Sequence, residues 1–523
     1  MRRPNILLLM ADQLAASWLP PYGHDVVQAP HISALAAEGV VFDSAYCPSP
    51  LCAPSRAALL TGRLPSRIGV YDNAAELRAS EPTVTHQLRA AGYATCLGGK
   101  MHFVGPDQLH GFEQRLTTDT YPADLDWTPD WRLEPSERLP WYHTMESVLH
   151  PGVCAASMQM DYDEEVAHRA VRKLRDLARR GREQPFFLCV SFTHPHDPWE
   201  LRPGYWERYE EAAIDLPAVG AIPRAEADPH SLRLRDMAGI DDVELTDEQL
   251  RTARHAYYAA ISYVDERIGE VLGALAESGL RDDTIVLFTA DHGELLGERG
   301  LWYKMAFFEP AARVPLIVSA PGRFATRRVA EPVSLLDIAP TLLDLCGLEA
   351  PDDLDGRSLA PALGGSDLGD ADVVAEYLAE GVTAPAVMLR RGQFKYVWCE
   401  DDPEQLYDVE SDPHELVNLA GEQAALCEEL RAEVARRWDL PALHAAVLRS
   451  QAERRLIVAA LNTGRPASWT FVPTADREPL LGTDDLYAFQ RRARLDAPRS
   501  VLDEDDHQQE DAEQDADPRH PRE

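Results

Sequence analysis

Six apolar runs, NILLLMA, VVFDSAY, YATCLGG, PFFLCVSF, TIVLFTA and VPLIVSA, are set through the first two thirds of the chain. Helix-like stretches fall between most of them: HISALAAEG, TVTHQLRAAG, DEEVAHRAVRKLRDLARRG and a long amphipathic segment from about Asp247 to Gly279. Runs that stay apolar on both faces suit strands covered by helices from two sides, so this rhythm predicts an α/β fold built on a large, doubly wound sheet. The first run, Ile6 to Ala11, is too short for a signal-peptide core and reads as a buried opening strand, with no export expected.

At 523 residues the chain exceeds what one compact core carries. Around 350–372 the composition turns to Pro, Gly and Asp, and short strand patterns follow: VVAEYLA, PAVMLRR, FKYVWCE and QLYDVE, closed by a helix from about Glu422 to Trp438. The expected division is a catalytic α/β domain over 1–370, a smaller antiparallel α+β subdomain over 371–440, an extension over 441–500 with mixed signals, and an acidic tail over 501–523 with no periodicity, expected to be disordered.

Charge narrows the partners. The 51 Lys and Arg against 87 Asp and Glu leave a net −36, of which the tail contributes ten acidic residues against two arginines. Such a field repels phosphate backbones and anionic lipid, so neither nucleic acid nor membrane is an expected partner. Eight cysteines, scattered at 47, 52, 96, 154, 189, 346, 399 and 427, form neither a disulfide framework nor a zinc pattern. A reducing compartment, and hence a cytoplasmic location, is expected.

Open α/β sheets gather ligands at the carboxyl ends of their strands. Four sets of polar residues follow apolar runs there: Asp12-Gln13, Lys100 with His102, His194 with His196, and Asp291-His292. Two carboxylates, an amide and an imidazole suit a hard divalent ion, calcium, magnesium or manganese, and the imidazole shifts weight towards manganese. The segment Cys52-Ala53-Pro54-Ser55-Arg56 is the most specific motif in the chain. As a bare cysteine, Cys52 beside Arg56 and a helix start reads as a low-pKa thiol.

With C-x-P-S-R, the chain resembles the sulfatase family of the alkaline phosphatase superfamily, in which that cysteine is oxidised to formylglycine. GYATCLGGKMH, TADHGE and LYDVESDPHELVNLA are similar to further family segments, and the resemblance spans the chain to about residue 440. At finer grain GVYDNAAEL, the 99–131 region, SFTHPHDPW and EYLAEG resemble the choline sulfatase branch. The implied fold is alkaline-phosphatase-like. The implied activity is hydrolysis of a sulfate monoester, choline sulfate, to choline and sulfate. The implied cofactors are one divalent ion, Ca2+ or Mn2+, and the formylglycine derived from Cys52.

Carried over residue by residue, the resemblance makes Asp12, Gln13, Asp291, His292 and the modified Cys52 metal ligands, with Arg56 holding the hydrated aldehyde. Lys100 and Lys304 would grip sulfate oxygens, and they are two of only four lysines in the chain. His196 would protonate the leaving oxygen, with His194 as the nearby alternative. His102 would deprotonate the second hydroxyl, and Asn73 would donate to a sulfate oxygen. A quaternary ammonium cannot donate hydrogen bonds and is best held by aromatic faces and a carboxylate, which points to Trp127, Trp131, His143 and Glu380, with Trp127 and Glu380 preferred. The resemblance further implies a formylglycine-generating enzyme for maturation and a homo-oligomer, dimer or tetramer, with Asp484 or Asp485 reaching a partner's cation pocket. Two other readings remain open: a formylglycine phosphonate monoester or phosphodiester hydrolase, and a catalytically silent choline sulfate binder.

Overall fold

The computed structural model describes residues 3–134, 137–180, 184–400, 402–465 and 468–473. Asp484, Asp485 and the acidic tail lie outside the described residues.

The apolar runs become strands of one nine-stranded mixed sheet. Across it the order is Arg327–Val329, Val40–Tyr46, Arg313–Ser319, Thr284–Ala290, Asn5–Ala11, Phe186–Ser191, Ala94–Gly99 and Gln114–Arg115, with Val333–Ser334 also paired to Val40–Tyr46. Arg313–Ser319 runs antiparallel to both its neighbours, and the other pairings are parallel. Asn5–Ala11, Phe186–Ser191 and Thr284–Ala290 are buried at every position, as strands covered on both faces must be. Helix Met158–Arg179 packs against the strands Ala94–Gly99 and Phe186–Ser191 of the sheet and against helix Asp247–Glu277.

Register decides where the chemistry sits. Ala11 lies opposite Ala290, while Met10 and Gly99 both pair with Ser191, so four central strands end level. The next residues, Asp12, Lys100, Asp291 and the 192–196 loop, therefore leave the sheet on one rim. Gly99 is required there: its φ is +99°, and a Cβ would sit 1.8 Å from the Ser191 carbonyl oxygen. Without a side chain, the strands can close and the Lys100 amide can donate to that oxygen at 3.0 Å.

A second, antiparallel sheet of Val373–Tyr377, Ala386–Arg391, Phe394–Cys399 and Gln405–Asp408 carries the helix Ala424–Arg437. It is tied to the large sheet's loops through Glu376, whose amide donates to Pro48 O and whose carboxylate accepts from Ser66 and Trp438. The stretch after 440, where the sequence pattern was mixed, opens with a 22-residue helix, Leu440–Leu461. Its buried face is Leu440, Leu443, Val447, Gln451 and Arg454, two of them polar, so the helical spacing is present without an apolar stripe.

Candidate active site

Cys52 opens the helix Cys52–Thr61, every residue of which is buried. The helix has no side-chain cap at Leu51, but Asn73 Oδ1 accepts from the Ala53 amide at 3.0 Å and satisfies one of the open donors. Pro54 sits in the first turn, where its missing N–H leaves no intrahelical bond unmade. The positive end of the helix thus faces the Cys52 side chain.

The rim brings Asp12, Cys52, Asp291 and His292 together: their ligand atoms all lie within 4.8 Å of one another, and all four residues are buried. Cys52 Sγ is 3.1 Å from His292 Nε2 and 3.8 Å from Asp12 Oδ1. His292 Nδ1 contacts the Gly293 carbonyl at 3.0 Å, which makes Nδ1 the protonated nitrogen and leaves the Nε2 lone pair facing the cluster. Burial holds the His292 pKa down to about 4, so the ring is neutral and ligand-competent. Two carboxylates, an imidazole lone pair and the Cys52 atom form a donor set that fits a hard divalent ion.

Arg56 is the brace under this cluster. Its Nε donates to Asp291 Oδ2 at 2.7 Å, and Nη1 donates to Lys100 O at 2.6 Å and Ser191 Oγ at 2.8 Å. Ser55 Oγ donates to the Asp291 carbonyl at 2.6 Å. Two residues of the C-x-P-S-R segment therefore hold the Asp291 strand end. Burial opposes ionisation of Asp12, yet Lys100 and Arg56 keep its pKa well below the usual carboxylate range. The thiol itself differs from the sequence expectation. Burial pushes Cys52 up to about 12, outweighing Lys100, so the unmodified side chain is a neutral thiol rather than a thiolate.

Two lysines flank the cysteine. Lys100 Nζ pairs with Asp12, lies 3.5 Å from Cys52 Sγ and sits 4.0 Å above the Tyr121 ring. Lys304 Nζ donates to Gln13 Oε1 at 2.5 Å and lies 2.8 Å from His196 Nε2. The Gln13 amide is held from its other end by Glu294 at 2.5 Å, whose pKa burial raises to about 7. His196 Nδ1 contacts the Asp197 carbonyl at 2.7 Å, and burial with Lys304 holds the ring well below its usual pKa. His102 is buried, with neither ring nitrogen hydrogen-bonded, and burial and Lys100 take its pKa down to about 3. Gln13, His102, Tyr303 and Met305 all have positive φ. Each such residue stores on the order of 1–3 kcal/mol of strain, and a cluster of them marks a functional rim.

An aromatic wall extends outward from His102. Tyr121 and Trp127 lie 5.0 and 5.8 Å from the His102 ring, Trp127 stacks on Trp141 at 6.4 Å, and Trp141 meets Tyr142 edge-on at 4.5 Å. Tyr142, Trp131 and Glu380 line one small cavity of about 30 Å³. Glu380 Oε2 is buried without a hydrogen-bond partner, and burial raises the carboxyl to about 7. His143 stacks on Tyr303 at 4.3 Å and stands 5.9 Å from His196.

Of the residues singled out from sequence, Asp12, Cys52, Arg56, Lys100, Asp291 and His292 converge at the centre. Gln13, His196 and Lys304 form an adjoining hydrogen-bonded set, and His102 and Trp127 lead into the wall. His194 is not brought to that set: its Nδ1 is held by Asp163 at 2.7 Å, and its ring packs on Tyr263. Trp131 donates its indole N–H to the Ala379 carbonyl at 2.7 Å and lines the Glu380 cavity. Sequence reasoning missed Tyr121, Tyr142 and Glu294. Glu294 was within reach, since it ends the TADHGE segment, whereas the tyrosines lie in loops without any periodic signal.

Residues 4–348 match the sulfatase family, and residues 297–439 match the family described as N-sulphoglucosamine sulphohydrolase, C-terminal. The chain is 48% identical over 498 residues to the choline-sulfatase of Rhizobium meliloti (strain 1021), covering 93% of this chain and 95% of that one. It is 29% identical to an arylsulfatase of Clostridium perfringens over 80% of this chain and 90% of the other. Among solved structures, the phosphonate monoester hydrolase of Agrobacterium radiobacter matches with a TM-score of 0.67 and 27% identity over 84% of this chain and 96% of that chain. The 2-O GAG sulfatase BT1596 shares the fold at a TM-score of 0.66. With a level rim that gathers a cysteine, two aspartates and a histidine, and with a family match over about two thirds of its length, the chain belongs to the sulfatase family of enzymes.

Proposed function

We propose that this enzyme hydrolyses choline sulfate to choline and sulfate. The observation that carries the substrate is Glu380, a buried carboxyl whose Oε2 has no hydrogen-bond partner, on a cavity that shares Tyr142 with the Trp127–Trp141–Tyr142 wall. A carboxylate oxygen left unbonded in such a place is costly unless a cation arrives, and a quaternary ammonium asks for charge and aromatic faces but no hydrogen bonds. The 48% identity to a choline-sulfatase supports the same reading.

Asp12, Gln13, Cys52, Asp291 and His292 would hold one divalent ion, calcium or manganese, which supplies polarisation of the sulfate oxygens and acidification of the nucleophile. Cys52 Sγ stands where an oxygen of hydrated formylglycine belongs, and that hydrate supplies a nucleophilic hydroxyl together with a second one through which sulfate is released. Cys52 is 1% exposed, so a formylglycine-generating enzyme would have to meet its segment before folding buries it.

The chain's own residues supply the rest. Lys100 and Lys304 offset the charge of the sulfate oxygens. Asn73, with Oδ1 committed to Ala53, keeps its Nδ2 protons for the substrate. His196 accepts from Lys304 through Nε2, so the proton for the leaving oxygen would be held on the Lys304 ammonium and passed through this pair. His102, neutral and without a hydrogen-bond partner, is the base for the second hydroxyl. Arg56 fixes Asp291 and offsets negative charge below the nucleophile.

The second reading, phosphonate monoester hydrolysis, is favoured by the 27% identical solved structure of that activity. Purified enzyme offered choline sulfate and a phosphonate monoester separates the two by kcat/KM, and a dominant phosphonate rate overturns the substrate assignment. A cytoplasmic setting is supported by the eight cysteines, all of them free thiols. No helix of the described residues is long and apolar enough to cross a membrane. A dimer or tetramer is supported by Leu456 and Ile457, exposed on the C-terminal helix.

A further inference from the structure

The helix Leu440–Leu461 touches the substrate-facing loops from behind, at residues on both sides of Trp127. Arg454 is its centre. Nη1 and Nη2 donate to the two Asp72 carboxylate oxygens at 2.6 and 2.7 Å, Nη1 also reaches Thr128 Oγ1 at 3.3 Å, and Nε donates to Ser450 Oγ at 3.1 Å. Around it, Gln451 Oε1 accepts from the Trp131 amide at 3.0 Å, Arg455 pairs with Asp130, and Asn462 donates to Asp126 at 3.3 Å. Asp126, Thr128, Asp130 and Trp131 are thus all anchored to one helix, and Trp127 is the residue between the first two.

Asp72 works in the other direction. It is fully buried, it accepts from the Ala74 amide at 3.0 Å, and its neighbour Asn73 is the residue that caps the Cys52 helix. A planar guanidinium that bridges Asp72 and Thr128 therefore couples the turn carrying Asn73 to the loop carrying Trp127. The geometry points to Arg454 as a positioning residue: through the Asp72 pair and the Thr128 contact it sets the distance between the sulfate-binding end and the cation-binding wall of the site. This rests on the choline sulfate reading for the identity of the cation. A fork-shaped side chain is needed because two acceptors on separate loops must be met at fixed angles, which an ammonium cannot do.

The test measures kcat and KM of the purified enzyme for choline sulfate and for 4-nitrophenyl sulfate, an ester without a cation. Wild-type turnover of choline sulfate is established first; its absence overturns the substrate reading, and this inference with it, before any variant is made. Arg454→Met is expected to lose about 10- to 100-fold in kcat/KM on choline sulfate, chiefly through KM, because small displacements of a binding group cost that much. On 4-nitrophenyl sulfate its loss should be several times smaller. Arg454→Lys should recover only part of the choline sulfate KM. Thr128→Val, which leaves the buried ion pair intact, should show the same substrate-selective split at smaller size, and it decides the matter if Arg454→Met does not fold. Parallel losses on both esters, or full recovery by Arg454→Lys, would show a merely structural helix and overturn the assignment.

Discussion

Lys304 Nζ lies 2.8 Å from His196 Nε2, and the same ammonium donates to Gln13 Oε1 at 2.5 Å. One cation thus joins the residue proposed to protonate the leaving group to a residue proposed to hold the metal. Choline leaves as a poor alkoxide, so its departure needs that proton more than departure of a nitrophenolate does.

His196→Ala is therefore expected to lower kcat on choline sulfate by about 10²- to 10⁴-fold. The same variant should lose far less on 4-nitrophenyl sulfate, whose leaving group needs no proton. Equal losses on both esters would remove His196 from the acid's role.

Ion binding should show as stability. An ion that binds only the folded state adds about 2.7 kcal/mol at a hundredfold excess over its Kd. Calcium or manganese added after chelation should raise the Tm and restore activity, and Asp12→Asn should abolish both responses. A Tm indifferent to both ions would contradict the site.

Glu380 titrates near pH 7 because burial disfavours its charge. Below that pH the carboxyl is neutral and binds a cation poorly, so the KM for choline sulfate should rise about tenfold between pH 7.5 and pH 6, with no such rise in Glu380→Gln. The stability sign is opposite. Because the folded value lies above the ordinary 4.5, the folded protein holds this proton more tightly, and stability falls as pH climbs from about 4.5 to about 7. Above pH 7, Glu380→Gln should therefore melt higher than the parent while binding substrate less well.

Trp127→Ala should raise the KM for choline sulfate by about 5- to 30-fold, the range of a desolvated cation–π contact. Its effect on an aryl sulfate, which carries no cation, should stay below about threefold. A variant with an unchanged choline sulfate KM would place the ammonium elsewhere.

Much of the architecture was readable because strands buried on both faces write themselves as apolar runs. NILLLMA and TIVLFTA pair in register from Asn5–Thr284 to Ala11–Ala290, and the polar residues after them meet on the rim. The closing subdomain was equally visible as four short strands and a helix. What stayed hidden depends on contacts between distant segments. His194 and His196 look alike in THPHD, and only the Asp163 carboxylate, thirty-one residues upstream of His194, separates them. The helix Leu440–Leu461 was obscured because Gln451 and Arg454 occupy its buried face, where their partners on other loops make polar residues tolerable. The Cys52 pKa was misjudged for a related reason. A helix start and an arginine favour a thiolate in water, but Arg56 is already paired with Asp291 and the thiol is sealed from solvent.

The most direct test of the account is the mass of the Cys52 peptide from active enzyme. Formylglycine is about 18 Da lighter than cysteine, whereas its hydrate has the nominal mass of cysteine, so every thiol is alkylated before the measurement; the account predicts that a form of the peptide without an alkylated Cys52 accounts for the turnover, with Cys52→Ala inactive on choline sulfate. A preparation with full activity whose Cys52 is entirely the unmodified thiol would contradict it.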